Sequence, residues 1–132
     1  DEQPDLHFQR ETLGLFHLLQ GLARHELKPA AGLWAVTAGC QDDGAGEADA
    51  AGCTAALHAA PLWGLARVAM NELPLMALTL VDLEAGAAPG EAAAALIDEI
   101  WAESGETEIA YRRGVRCVRR LLKSPVKRCR PP

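Results

Sequence analysis

The stretch APLWGLARVAMNELP, residues 60–74, opens on a proline, carries Trp63 and Gly64 close behind it and closes on Pro74. Proline suits the first turn of a helix, because its fixed φ is already helical and its missing N–H has no partner there. The reading is a short helix that starts at Pro61, shows Leu62, Leu65, Val68 and Ala69 on one face and stops at Pro74. Only Arg67, Asn71 and Glu72 are polar, so packing rather than chemistry is expected of it. Leu62, Trp63 and Leu65 supply apolar area, and burying one such side chain contributes roughly 1.5–3 kcal/mol. Gly64 is read as allowing close approach to a sheet, and Arg67 as capping loop carbonyls or pairing with Glu72 or a more distant acid.

Working outward, two apolar runs flank this helix. Leu33–Thr37 lies between Gly32 and Gly39, and Leu78–Val81 precedes Asp82; both read as buried strands. A strand, a crossover containing a helix and a second strand make a right-handed parallel βαβ unit. Upstream, residues 11–26 place Leu15, Leu18, Leu19, Leu22 and Ala23 at helical spacing, with Lys28 and Pro29 at the stop. Residues 39–53, rich in Gly, Asp and Ala, read as a loop. Downstream, residues 91–103 read as a helix with Leu96, Ile97, Ile100 and Trp101 inward and Glu91 at its positive pole. Residues 108–111 and 115–122 flank Arg112-Arg113-Gly114 and read as a hairpin. The expected fold is α/β: a short parallel sheet flanked by helices, with a C-terminal β-hairpin, over residues 1–122. Residues 123–132 are expected to form a basic, proline-containing linker or tail.

A chain of 132 residues fits one domain, and with 49% apolar and 23% charged residues it has the composition of a folded soluble protein. No apolar run reaches the roughly 20 residues that span a bilayer, and residues 1–10 lack the features of a secretory signal, so a cytoplasmic location is expected. Cys40, Cys53, Cys117 and Cys129 form no C-x-x-C pair and are expected to be free thiols. His7, His17, His25 and His58 share no metal-ligand spacing either. Charge is unevenly placed. All 18 acidic residues lie at or before Glu108, whereas the last 24 residues hold nine basic residues. Such asymmetry admits a second reading, a small binding module whose basic C-terminus contacts an acidic protein or nucleic acid. Nucleic acid is the weaker partner, since Tyr111 is the sole aromatic at that end.

Enzyme fingerprints are missing. A dinucleotide loop needs G-x-G-x-x-G between strand and helix. The nearest approach, Gly44-Ala45-Gly46-Glu47-Ala48-Asp49, lacks the last glycine and is surrounded by Asp42, Asp43 and Glu47, which repel phosphate. A short-chain reductase needs a tyrosine with a lysine four residues on; Tyr111 is followed there by Val115. Ser104 and Ser124 sit in no nucleophile elbow, and Asp98 and Glu99 read as solvated carboxylates on a helix surface.

LLQGLARHELKPAAGLWAVTAG, then APLWGLARVAMNELP, then LVDLE, then EIAYRRGVRCVRRL, in that order, resemble the ketoreductase region of modular type I polyketide synthases, and specifically its structural subdomain. The resemblance covers roughly residues 13–121, and it matches Pro61, Leu62, Trp63, Gly64, Leu65, Arg67, Glu72 and Pro74 to that family's helix motif, the last part approximately. It implies a truncated Rossmann-like fold that does no chemistry and binds no cofactor itself. Its implied role is to pack against a separate catalytic subdomain, which holds NADPH and reduces β-keto thioesters on an acyl carrier protein. Neighbouring synthase domains are the implied partners.

Overall fold

The run Leu33–Ala38 forms β1 and pairs in parallel, residue for residue, with β2, Leu78–Leu83. These strands belong to a computed structural model that describes residues 4–41, 50–102, 104–121 and 123, with side chains described from Arg10 to Gln41 and from Ala59 onward within those ranges. Strand β3, Glu108–Arg112, adds in parallel on the other side of β2, and β4, Val115–Val118, returns antiparallel to β3. The sheet order is β1-β2-β3-β4. Three helices complete the fold: α1, Pro4–Arg24; α2, Ala50–Glu72; and α3, Pro89–Trp101. This is a short, mostly parallel Rossmann-like sheet with helices against it and a C-terminal hairpin, as the sequence pattern predicts.

The core lies between the sheet and the α1–α2 pair. Leu19 of α1, Ala59, Trp63, Ala66 and Ala69 of α2, and Leu78 and Leu80 of β2 form one buried cluster. Strand side chains alternate between faces. Leu78, Leu80 and Asp82 therefore point toward α2, while Thr79 and Val81, also buried, serve the α3 side. Every residue of Leu78–Asp82 is buried, as befits a strand covered on both faces.

Several expectations need correction. Helix α2 begins at Ala50, so Pro61 lies inside it rather than at its start. The segment Ala50–Cys53 is helical, although the loop assignment for residues 42–49 lies outside the described residues. A proline in a helix interior loses one backbone hydrogen bond; the packing of the following turns of α2 on the sheet outweighs that local signal. Gly64 is exposed, with nothing within 4 Å of an added Cβ, so it does not mediate approach to the sheet. The inward face of α2 runs through Trp63, Ala66 and Ala69, whereas Val68 is 58% exposed. On α1 the face is narrower than expected: Leu19 is buried, but Leu18 is exposed. On α3, Ile97, Ile100 and Trp101 are exposed, and the buried residue is Glu99. The expected tail falls almost wholly outside the described residues.

Candidate functional site

In parallel α/β sheets, ligands bind beyond the carboxyl ends of the strands, where helix N-termini and turn N–H groups face an anion. At that place here stands a carboxylate of the chain itself. Asp82, near the end of β2, is fully buried. The Thr37 hydroxyl donates to its Oδ1 at 2.6 Å, the Cys40 N–H to both of its oxygens at 3.1 and 2.9 Å, and the Gln41 N–H to Oδ2 at 2.9 Å. Arg112, at the end of β3, forms the ion pair with Oδ2. Its guanidinium also donates to the carbonyls of Gln41 and Tyr111, both at 2.6 Å, and to that of Leu83 at 3.2 Å.

Glycine makes this geometry possible. Gly39 has φ +67°, and a Cβ there would stand 2.7 Å from the Ala85 Cβ. The left-handed residue turns the chain as β1 ends, so that two successive N–H groups converge on one carboxylate, the arrangement of an anion-binding concavity. The Cys40 thiol beside it is pushed up from its ordinary pKa, first by burial and then by the Asp82 charge. That direction makes a poor nucleophile.

The PLWGL motif joins this network. Trp63 is buried, and its indole N–H donates to the Thr37 hydroxyl at 3.1 Å, so the chain of bonds runs from Trp63 through Thr37 to Asp82. Arg67, one turn on, stacks 5.4 Å from the Trp63 ring and makes a two-pronged bond to Glu108 at 2.9 and 2.9 Å. Glu108 is held below the usual carboxylate range, mainly by that bond. Arg67 thus finds a distant acid on β3 rather than Glu72, which is exposed. Leu62 and Leu65 pack against the core from partly buried positions, and Pro74 opens a 3-10 turn, Pro74–Met76, after α2 has ended.

A second cluster sits across the sheet. Glu99 of α3 is buried and accepts from Arg116 Nε at 2.5 Å and Nη2 at 2.7 Å, from the Tyr111 hydroxyl at 3.0 Å and from the Ser104 hydroxyl at 3.0 Å. The Arg116 bond is the main cause that takes its pKa down to about 2. Tyr111 is raised, by burial and then by its bond to Glu99, the opposite of the shift an acid–base tyrosine needs. Sequence reasoning missed Asp82, Arg112, Glu99 and Arg116. A carboxylate ending an apolar strand and the arginine-rich hairpin were the available signals. Asp98, by contrast, is exposed as expected.

Among the described residues, no group of three or more His, Cys, Asp or Glu is placed to hold a metal, and no helix is long and apolar enough to cross a membrane. Cys40 and Cys117 are free thiols; the Cys53 and Cys129 side chains lie outside the described residues, as do those of His7 and His58.

Parallel strands linked by crossover helices, β1 to β2 through α2 and β2 to β3 through α3, make this a Rossmann-type domain. The chain belongs to the family described as polyketide synthase extender module SpnB, Rossmann fold domain, whose model matches residues 3–121. Searches of curated proteins and of solved structures found no match.

Proposed function

We propose that this domain is the noncatalytic structural subdomain of a polyketide synthase ketoreductase region. In this reading it packs against and stabilises a catalytic subdomain that uses NADPH to reduce acyl-carrier-bound β-keto thioesters. The observation that carries the reading is the Asp82–Arg112 closure at the strand ends. The Cys40 and Gln41 N–H groups, which would otherwise face a pyrophosphate, are committed to Asp82. A phosphate arriving there would meet a carboxylate already holding its donors.

Large apolar side chains left at the surface of α1 and α2, among them Leu13, Phe16 and Val68, supply an area for a partner domain to cover. The binding-module alternative loses support over the described part of the basic segment. There Arg112, Arg116, Arg119 and Arg120 pair with Asp82, Glu99, Glu108 and Glu106 of the same chain.

Isothermal titration of the chain with NADPH tests the noncatalytic half of the reading. The expected result is no saturable heat at ligand concentrations up to roughly 1 mM, the range of a 4 kcal/mol interaction. A micromolar Kd would overturn it.

A further inference from the structure

We infer that the outer face of α3 docks an amphipathic helix of a partner polypeptide, one whose apolar stripe is flanked by lysine or arginine. Ala93, Ile97, Ile100 and Trp101 follow the i, i+4, i+7, i+8 spacing of a single helix face, and all four are exposed, Trp101 to 79%. That spacing is the one used when a helix packs on a helix or in a groove. At its C-terminal end the stripe borders a concavity of about 320 Å³ lined by Ile100, Trp34, Met70 and Ser104, wide enough for one anchoring side chain.

Charge selects the occupant. Between Pro89 and Trp101 the only charged residues are acidic, Glu91, Asp98 and Glu99, and Glu99 is already paired. The last turn has no basic residue of its own, and Arg116, which reaches it from the hairpin, is bound to Glu99 and Ser104. Glu91 and Asp98 are exposed and would repel the same acids of a second copy, which disfavours self-pairing. They attract a basic-flanked helix. The face is also rigidly presented, because Glu99 ties α3 to the Tyr111 and Arg116 side chains of the hairpin. It lies across the sheet from α1 and α2, so it is separate from the surface invoked above.

The test is fluorescence anisotropy of a labelled synthetic helix with a leucine stripe and lysine flanks, titrated with the full chain. Saturable binding is expected, weakened by about tenfold or more in Trp101→Ala, a change at an exposed position that spares the fold. Asp98→Lys should weaken it too, while admitting the same helix with glutamate flanks. Absence of binding, indifference to both variants, or equal binding of the two peptides to the parent chain would overturn the proposal. So would dimerisation abolished by Trp101→Ala, or peptide binding that appears only once residues 124–132 are removed, since these assign the face to a second copy or to the chain's own end.

Discussion

Asp82 takes up four neighbours at once, and its removal leaves Arg112, only 12% exposed at its side chain, without a counter-charge. An unpaired buried charge costs about 3–5 kcal/mol. Asp82→Ala should therefore lower stability to urea by that amount, and Arg112→Met, which leaves the fully buried Asp82 carboxylate without its counter-charge, by a similar amount. Small losses in both would contradict the closure described. Trp63→Phe keeps most of the ring but removes the donor to Thr37, and about 1 kcal/mol of loss is expected. Glu99 supplies a pH signature. Its folded pKa, about 2, lies below the ordinary 4.5, so its contribution is present above pH 4.5 and is lost as pH falls toward 2. A shift of that size corresponds to roughly 3 kcal/mol. The stability gap between the parent and Glu99→Gln should accordingly narrow from pH 5 to pH 2; a constant gap would show that Arg116 does not hold the ionised form.

At the scale of elements, α2 separates two accounts of one proline. If Pro61 opened the helix, as its local preference indicates, Pro61→Ala would gain nothing. With α2 beginning at Ala50, the substitution restores an interior hydrogen bond and should raise stability by about 1–3 kcal/mol. Gly64→Ala, at an exposed helical site with open space around it, should add about 0.5–1 kcal/mol more. Calorimetry of the two single variants decides both. What was legible follows from locality. The runs at Leu33 and Leu78 and the turn at Gly114, with φ +70°, carry their own signals within a few residues, and each element appeared where expected, although β1, an edge strand, is only partly buried and leaves Val36 exposed. The inner face of α3 was not legible, because Glu99 becomes buriable only through Arg116, seventeen residues on, while Ile97 and Trp101 look like core by composition alone. The Asp82 site was hidden for the same reason: Thr37, Cys40, Asp82 and Arg112 meet only after three strands have paired.

For the whole molecule, the uneven charge along the chain becomes complementarity within the fold. Acids from β2, α3 and β3 meet arginines of the C-terminal hairpin and the residues just after it, two of the pairs well shielded from solvent on the acid side. Such an arrangement ties the last strands to the first ones and commits the Cys40 and Gln41 N–H groups at the strand ends to Asp82. The proposed product is a shaped body rather than a catalyst, and association with the catalytic reductase subdomain proposed as its partner tests that claim most directly. Thermal unfolding of that subdomain should be followed alone and with this chain added in excess. A partner that binds only the folded form stabilises it by about 2.7 kcal/mol at a hundredfold excess over Kd, a rise of several degrees in Tm. That rise, with nicotinamide binding retained wholly by the reductase, is the predicted result; an unchanged Tm at high excess of this chain would contradict the account.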